Sequence, residues 1–268
     1  MKNILHPKKK MLNPSKQSKV LILGGTSDAR RLAIKLIEIN INVVYSIAGL
    51  VRTPKLDCLI HIGGFTLHGG LEQYIQEHHI SIILDATHPY ALNISQKATL
   101  ACIKTNIQYV RFERPQWQMQ QYDLWTTMDS WQQVISKLEQ FKRVFLTAGQ
   151  VAEPIMTQLT QLSCDITLRT AKPPDYNLPK NITWIKAIGP FDEKSEKKWL
   201  KDNQIELIVS KNSGGSATYG KIAAARELGI NVFMFNRPQN SKVTAENIHT
   251  FDDLNSCIDY ILQIKTEC

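Results

Sequence analysis

The stretch Lys19-Val-Leu-Ile-Leu-Gly-Gly-Thr-Ser-Asp-Ala-Arg30 decides the fold class that the sequence predicts. Residues 20–23 are a short apolar run, which is typical of a strand buried on both faces of a parallel sheet. Gly24 and Gly25 follow at once and predict a tight turn. Apolar residues then recur at helical spacing over residues 32–37, so the stretch predicts a strand, a glycine turn and a helix in that order.

This order of elements can bind an anion. Thr26 and Ser27 are candidate helix caps, and the N–H groups of the first helical turn point outward, where the helix dipole adds positive potential. Glycine lets a phosphate approach closely. The predicted cofactor contacts of this turn are Gly24, Gly25, Thr26, Ser27 and Arg30. Because the full G-x-G-x-x-G pattern is absent, an ordinary β–α turn stays open as the alternative.

The second predicted strand, residues 43–47, indicates which dinucleotide the turn would hold. An NAD site usually has an acidic residue near the end of this strand, where it binds the ribose 2′-hydroxyl. No acid follows the strand directly; Arg52 and Lys55 come instead, and cations suit a 2′-phosphate. The sequence therefore favours NADPH, with Ser46 and Arg52 as further predicted cofactor contacts.

Length and composition describe a globular protein of one large domain or two ordinary ones. The chain has 268 residues, of which 43% are apolar and 21% charged, and no apolar run approaches the roughly 18 residues of a membrane span. Its five cysteines form no C-x-x-C pair and no ligand cluster. We therefore expect no metal site, and reduced thiols in a cytoplasmic protein.

The net charge of +8 is concentrated at the N-terminus. Residues 1–18 contain five lysines and no acid, and the remaining chain carries only +3. These residues lack the apolar core of a secretory signal, so we expect a disordered basic tail. A tether to nucleic acid or to an anionic surface is the alternative.

A second candidate site follows the predicted strand at residues 80–84. Asp85, Thr87 and His88 come directly after this strand, at the edge where open α/β sheets bind ligands. Pro89 suits the first position of the next helix, with Thr87 or His88 as its cap. Asp85 and Thr87 are predicted cofactor contacts and His88 a catalytic residue, while turn formation and helix capping are the structural alternatives.

The run Arg111-Phe-Glu-Arg-Pro-Gln-Trp117 closes the first half of the chain. Arg111 and Arg114, which lie near Trp117 in the sequence, can bind carboxylates and stack on a flat ligand. A linker with a Glu113 ion pair is the alternative.

The second half repeats the plan of alternating strands and helices. The predicted boundary lies within residues 115–128, which gives an N-terminal domain at 19–120 and a C-terminal domain at 121–268. Both halves predict a doubly wound, Rossmann-like α/β domain with a parallel sheet. We expect the ligand edges of the two sheets to face one cleft.

A second glycine loop, Lys211-Asn-Ser-Gly-Gly-Ser-Ala-Thr-Tyr-Gly-Lys221, follows a predicted strand of the second half. It combines ammonium groups, an amide, hydroxyls and paired glycines, which suits a polyanion, although the order differs from a Walker A loop. A solvated turn before a helix is the alternative.

Taken together, five runs of the chain resemble the precorrin-6A reductase family of cobalamin biosynthesis in order and spacing. They are Gly24-Gly-Thr-Ser-Asp-Ala-Arg30, Asp85-Ala-Thr-His-Pro-Tyr-Ala91, Arg111-Phe-Glu-Arg-Pro-Gln-Trp117, Lys211-Asn-Ser-Gly-Gly and Arg237-Pro238. The resemblance extends from about residue 19 to about residue 240. It implies two Rossmann-like domains with NADPH between them, and reduction of one double bond of the precorrin-6A macrocycle, or of its cobalt form, to precorrin-6B. Leu50 stands where the family usually has an arginine, so the partner of the 2′-phosphate stays unassigned.

A tetrapyrrole with many carboxylate arms needs cations around a wide cleft, and the cofactor supplies the hydride. The predicted catalytic residues are His88, Lys211 and Tyr219. The predicted substrate contacts are Arg111, Arg114, Lys211, Asn212, Ser213, Gly214, Gly215, Thr218, Lys221 and Arg237. The proton donor stays open among His88, Tyr219, water and the macrocycle itself. We expect no nucleic-acid or membrane partner, and a monomer or weak homo-oligomer.

Two other functions stay open. A nucleotide-sugar transferase or epimerase predicts a Tyr-x-x-x-Lys pair on a helix beside the dinucleotide loop, or an acid for the ribose, and we find no such pair in a suitable helix. A non-enzymatic redox sensor that binds NADPH predicts DNA binding through residues 1–18 with a steep salt dependence. It leaves the second glycine loop without a role.

Overall fold

The computed structural model describes residues 19–49, 54–238 and 245–267. Within these ranges the chain forms two sheets of six parallel strands each, so the predicted α/β, Rossmann-like fold class is confirmed. In chain order the strands are β1 (Lys19–Leu23), β2 (Val43–Ile47), β3 (Leu59–Ile62), β4 (Ile80–Asp85), β5 (Gln108–Phe112), β6 (Trp125–Met128), β7 (Arg143–Leu146), β8 (Asp165–Thr170), β9 (Ile182–Lys186), β10 (Leu207–Lys211), β11 (Asn231–Phe235) and β12 (Ile248–Phe251).

Eight α-helices of the described chain alternate with the strands. They are α1 (Ser27–Glu38), α2 (Leu71–Glu77), α3 (Leu92–Thr105), α4 (Trp131–Leu138), α5 (Glu153–Leu159), α6 (Glu193–Asp202), α7 (Gly220–Leu228) and α8 (Leu254–Glu267). Two short 3₁₀ turns, Thr66–His68 and Ser216–Thr218, precede α2 and α7.

The first sheet has the strand order of a dinucleotide-binding domain. Its strands lie in the order β12-β5-β4-β1-β2-β3, which reads as 6-5-4-1-2-3 for the sheet. One face packs against α1 and α8 through a core that includes Leu32, Leu36 and Ile261, and the other face packs against α2 and α3. The strand order reverses between β1 and β4, so a crevice for a ligand opens at the carboxyl ends of these two strands.

The C-terminal segment differs from the predicted domain boundary. The sequence assigned residues 121–268 to the second domain, but β12 pairs with β5 and thereby joins the first sheet. Cys257, Ile258 and Ile261 of α8 are buried in the core beside α1. The reason is that β5 would otherwise be an unpaired edge strand, which β12 covers.

The second sheet repeats the order of the first over five strands. Its order is β6-β11-β10-β7-β8-β9, so the strands from β7 onward follow the pattern 3-2-1-4-5. β6, which precedes them in the chain, pairs with β11 in the sixth place. The crevice of this sheet lies between β7 and β10, where the second glycine loop begins.

The start of α1 confirms the predicted cap, whereas the start of α3 corrects the prediction. Thr26 Oγ1 accepts a hydrogen bond from the Ala29 N–H at 3.0 Å. α3 begins at Leu92, three residues after the predicted start at Pro89, and Ala91 is its cap. The residues before it form a separate loop, because the Asp85 carboxylate accepts the Thr87 N–H at 3.0 Å and holds the chain in a turn. The predicted basic tail and the predicted Arg52 contact lie outside the described residues.

Candidate active site

The carboxyl edges of the two sheets meet through the loops that follow β4 and β10. His88 Nε2 lies 3.0 Å from Ser213 Oγ. The Tyr90 hydroxyl donates to the Phe235 carbonyl at 2.5 Å and accepts from the Asn212 N–H at 3.0 Å. We expected the ligand edges of the two sheets to face one cleft. In the structure the loops at these two edges touch each other, so the two crevices lie side by side.

A cavity of about 590 Å³ opens at the crevice of the first sheet. Five of the residues assigned from sequence line it: Gly24, Gly25, Ser46, Thr87 and His88. They come from the ends of three different strands, which only the parallel order β4-β1-β2 brings together. The structure thus places the glycine turn, the end of β2 and the loop after β4 around one cavity, whose volume is in the usual range of small-molecule and cofactor sites.

The loop after β3 and the facing side of α3 also line this cavity, and the sequence did not assign them. Gly63, Gly64, Phe65 and Thr66 come from the loop, and α3 contributes Ile94, Lys97, Leu100 and Lys104. The paired glycines at 63–64 and 69–70 were the available signal, because Gly63, Gly69 and Gly70 have positive φ. Lys97 brings positive charge to the cavity wall, whereas Lys104 pairs at 3.2 Å with Glu72 of the same wall.

Gly24 and Gly25 are required by the packing and the conformation of the turn. A Cβ on Gly24 would overlap the ring of Tyr45, which is buried beneath the turn. Gly25 has φ +96° and nothing within 4 Å of its would-be Cβ, so the space above it is open. Its N–H lies 3.2 Å from the Tyr45 hydroxyl. Burial raises the pKa of this hydroxyl, which is therefore a neutral partner at ordinary pH.

The other predicted contacts of this turn lie outside the cavity lining. Thr26 Oγ1 donates to the Ala86 carbonyl at 2.8 Å, so this hydroxyl ties the turn after β1 to the loop after β4. Ser27 and Arg30 are exposed on α1. Thr26 therefore positions the two loops, and its predicted contact with the cofactor stays a prediction.

Asp85 and Arg111 form a buried ion pair beneath the cavity. Arg111 Nη1 lies 2.7 Å from Asp85 Oδ1, and the two side chains are 4% and 0% exposed. The Thr87 hydroxyl donates to Asp85 at 2.7 Å, the Tyr109 hydroxyl donates at 2.8 Å, and Arg111 also donates to Ser95 Oγ at 3.0 Å. Burial alone would raise the pKa of Asp85, but the guanidinium and these hydrogen bonds lower it overall.

This network bears on two predicted contacts. Arg111 was predicted to bind substrate and Asp85 to bind the cofactor, and both side chains are buried in this network. They fix the loop that carries Thr87 and His88, because the Thr87 hydroxyl also accepts a hydrogen bond from Arg111 at 3.0 Å. A direct contact of either side chain with a ligand stays a prediction.

His88 is neutral and has a defined tautomer. Burial, together with the nearby positive charges led by Arg114 and Lys211, lowers the pKa of His88 to about 3. Its Nδ1 accepts the Tyr90 N–H at 3.3 Å, so the proton of the neutral ring is on Nε2 and points at Ser213. His88 can donate a hydrogen bond from the cavity wall, but it is not an imidazolium at neutral pH.

Arg114 and Gly215 join the interdomain segment, which is residues 113–124 between β5 and β6, to both sheets. Arg114 Nε lies 3.0 Å from Asp28 Oδ2, and the same carboxylate binds Arg31. Asp28 is buried at the start of α1, where its charge also complements the helix dipole. A Cβ on Gly215 would lie 2.7 Å from Arg114 Nη1. Arg114, predicted to bind substrate, thus binds Asp28 and packs against the second glycine loop.

Arg237 and Gly214 complete this connection. Arg237 donates to the carbonyls of Asn212 (2.9 Å), Arg114 (2.7 Å) and Pro115 (3.2 Å). Gly214 has φ +73°, and a Cβ there would overlap the Pro115 carbonyl and the Arg237 guanidinium. Gly214 and Gly215 are therefore needed for close packing of the interdomain segment, while their predicted contacts with substrate and that of Arg237 stay predictions.

Asn212 is an anchor for Trp117. Its Oδ1 accepts the Trp117 N–H at 2.8 Å and its Nδ2 donates to the Trp117 carbonyl at 3.0 Å, as a neighbouring strand would do. The amide is buried and both of its ends are used. Asn212 therefore holds the interdomain segment in place, and its predicted contact with substrate stays a prediction.

The end of the second glycine loop also packs inward. The Lys221 ammonium is buried, donates to the Thr218 carbonyl at 2.7 Å and lies 5.1 Å from the ring centroid of Trp117. Burial lowers the pKa of Lys221 to about 7. The Tyr219 hydroxyl accepts from Arg226 at 2.6 Å. The predicted roles of Lys221 and Thr218 in substrate binding and of Tyr219 in catalysis stay predictions, with Lys221 and Tyr219 already bound to groups of the protein.

Lys211 is the predicted cationic contact of this loop whose ammonium can still bind an incoming anion. Its ammonium lies 5.2 Å from the ring centroid of Tyr90 and 4.0 Å from the would-be Cβ of Gly149, at the crevice of the second sheet. Among the residues that the structure describes, no carboxylate forms an ion pair with it. Burial lowers its pKa, so an incoming anion would bind a partly desolvated charge.

Comparison with known proteins identifies the family. The family model described as Precorrin-6x reductase CbiJ/CobK matches residues 19–261. The chain belongs to this family. The precorrin-6A reductase of Sinorhizobium sp is 40% identical over 228 residues, which cover 84% of this chain and 87% of that protein. The cobalt-precorrin-6A reductase of Priestia megaterium is 29% identical over 235 residues, which cover 82% of this chain and 91% of that protein.

A solved structure of the precorrin-6x reductase family has the same fold. The structure of CobK precorrin-6A reductase is 31% identical to this chain, with a TM-score of 0.81 and coverage of 92% of this chain and 96% of that one. The predicted resemblance and the predicted enzyme class, a reductase, are thereby confirmed. No helix among the described residues is long and apolar enough to cross a membrane.

Proposed function

We propose that the chain reduces precorrin-6A, or its cobalt form, with NADPH, and that the cofactor occupies the cavity at the crevice of the first sheet. The single observation that carries the cofactor site is the set of residues around this cavity. Gly24 and Gly25 lie at one wall, Ser46 and Ala48 at the end of β2, and His88 beside the second sheet. This is the crevice in which a sheet of this strand order binds a dinucleotide.

The residues of the cavity fit a dinucleotide. The open space above Gly25 leaves room for a pyrophosphate at the start of α1, whose first N–H groups have no carbonyl within the helix to bind. Lys97 adds a cation to the opposite wall, while Leu23, Phe65 and Ile94 are apolar and would exclude water from a bound ring.

Bound NADPH would supply the hydride, and the residues of the chain would supply position and charge. His88 would act as a neutral hydrogen-bond donor at the junction of the two crevices, through the Nε2–H that now binds Ser213. Lys211, on the other side of that junction, would bind a carboxylate arm of the macrocycle by a charge-assisted hydrogen bond. Ser213 lies between them and would contact the same ligand.

We also propose a cytoplasmic enzyme that is a monomer or weak homo-oligomer and binds no nucleic acid. The four cysteines of the described residues, Cys58, Cys102, Cys164 and Cys257, are free thiols, which is the usual state in a reducing compartment.

The deciding experiment is anaerobic incubation of the protein with NADPH and precorrin-6A, followed by absorption and mass spectrometry. The product should be heavier than the substrate by two hydrogens, and NADPH deuterated at the transferred position of C4 should deliver one deuterium. Parallel reactions with cobalt-precorrin-6A, without NADPH and with NADH identify the substrate form and the cofactor. An unchanged macrocycle in a protein that binds NADPH would refute the proposed reaction.

A further inference from the structure

A lysine of the second domain lies against the turn that follows β2 of the first. Lys172 lies two residues beyond the end of β8, in a loop that continues with two prolines. Its Nζ lies 3.1 Å from the position that a Cβ on Gly49 would occupy. Gly49 is two residues beyond the end of β2, and Ser46 and Ala48 beside it line the cavity.

This position is the one at which a dinucleotide-binding sheet distinguishes its two nicotinamide cofactors. In such sheets a carboxylate near the end of the second strand binds the ribose 2′-hydroxyl of NAD, and a nearby cation accommodates the 2′-phosphate of NADP. Ala48 and Gly49 carry no charge, so the Lys172 ammonium is a positive charge that the second domain brings to this turn. Among the described residues, no Asp or Glu forms an ion pair with Lys172.

We propose that Lys172 binds the 2′-phosphate of NADPH, so that the second domain supplies a cation that selects the cofactor of the first. This inference rests on the proposed cofactor site. Lys172 thereby becomes a specificity-determining residue with no part in hydride or proton transfer.

The backbone of Lys172 is held in place for this role. Its carbonyl accepts hydrogen bonds from Gln150 Nε2 at 2.9 Å and from Thr170 Oγ1 at 2.5 Å. Thr170 in turn accepts from Trp184 Nε1 at 2.8 Å. The loop therefore starts from a fixed point, and less freedom is lost when the ammonium binds an anion.

A second consequence is that the cofactor would bridge the two domains. Its pyrophosphate would lie on the turn at Gly25 and its 2′-phosphate on Lys172, which belong to different sheets. NADH has no 2′-phosphate, so it would bind at Gly25 without the contact to Lys172.

The test compares dissociation constants for NADPH and NADH in the wild type, Lys172→Ala, Lys172→Arg and Lys180→Ala. Lys180 is a matched control, because it is an exposed lysine of the same segment and its removal changes the net charge equally. Lys172→Ala should weaken NADPH binding about tenfold or more and change NADH binding less than twofold. Lys172→Arg should retain most of the preference, and Lys180→Ala should match the wild type.

Two fragments separate the phosphate contact from the rest of the cofactor. Competition by 2′,5′-ADP should weaken in Lys172→Ala, whereas competition by 5′-AMP should not. An unchanged ratio of the NADPH and NADH dissociation constants in Lys172→Ala would overturn the assignment of Lys172, whether neither affinity falls or both fall equally. A wild type that binds NADH as tightly as NADPH, or neither, would instead refute the proposed cofactor, so the two failures are distinguishable.

Discussion

Removal of the Arg111 guanidinium tests whether this residue holds the loop after β4 or binds substrate. In Arg111→Met the Asp85 carboxylate keeps its hydrogen bonds to Thr87 and Tyr109 but loses its charge partner at 2.7 Å. The carboxylate is fully buried, so it cannot recover solvation. Breaking a buried ion pair by removing one partner costs about 3–5 kcal/mol, and we expect a loss of unfolding free energy in that range at pH 7.

The loss should depend on pH in a defined direction. In the wild type the pKa of Asp85 lies below its ordinary value of 3.8, so the stabilisation by the pair is present above that pH and is lost as the pH falls through the lower, folded-state pKa. In Arg111→Met the attraction of the guanidinium is lost, so burial, opposed only by the remaining hydrogen bonds, should raise the pKa of Asp85. The folded variant would then take up a proton more readily than its unfolded chain, so its deficit should narrow between pH 7 and about pH 4.

Urea unfolding at several pH values measures this difference. Arg111→Lys is the matched control, since it keeps the charge but loses the planar fork, and we expect a smaller deficit for it. The doubly substituted Asp85→Asn, Arg111→Met chain should recover part of the lost stability, because no charge is then left buried alone. A loss below about 1 kcal/mol together with a tenfold weaker tetrapyrrole affinity would refute the structural role and restore the substrate contact.

Three further predictions concern the cavity and the junction of the crevices. Lys211→Ala should lower kcat/KM for the tetrapyrrole by about ten- to a hundredfold, near 1.4–2.7 kcal/mol, and should weaken the salt dependence of kcat/KM. The dissociation constant of NADPH should stay within twofold, and unchanged kinetics would contradict a substrate contact at Lys211. His88→Ala should lower kcat more than fivefold, and an intact kcat with lower thermal stability would leave His88 only a structural role. The pH profile of the wild-type kcat should show no inflection from His88 between pH 5 and 8, because the pKa of His88 is about 3. Gly24→Ala should weaken NADPH binding at least tenfold by displacing the Tyr45 ring, and Tyr45→Leu in the same chain should restore part of the affinity, as measured by fluorescence titration.

The first half of the site could be predicted because its information is local. The apolar run, the glycine turn and the Thr26 cap are neighbours in sequence, and they form β1, the turn and α1 with the predicted helix cap at Thr26. Parallel strands then place the turn after β1 beside the ends of β2 and β4. Gly24, Ser46 and His88 therefore line one cavity, as the pattern of strands implied.

The second half was less predictable because its contacts join distant parts of the chain. Asn212 binds Trp117, 95 residues away, and Arg237 binds the Arg114 carbonyl, 123 residues away. A glycine pair and a cation next to a strand look the same in sequence whether a phosphate or a backbone carbonyl lies above them. Only the three-dimensional contact shows that the Pro115 carbonyl occupies the place above Gly214.

The strand β12 was missed for a related reason. Ile248–Phe251 is four residues long and half-buried, which is too short a pattern to separate from a loop. Its partner β5 lies more than 130 residues earlier, and the edge that it covers exists only after the first sheet has formed.

The motifs that carry the family resemblance serve two different purposes, and the contacts separate them. Arg114, Asn212 and Arg237 use their polar groups on one another's backbone, on Trp117 and on Asp28, so their identity is set by the geometry between the two sheets. Lys211 and Gly25 leave a charge and an open face toward the crevices. If the first group fixes where the two edges meet, substitutions in it should alter stability and the affinities for both ligands together. Substitutions in the second group should affect one ligand and leave unfolding nearly unchanged, which is the pattern that distinguishes a contact with ligand from a contact that holds the site in place.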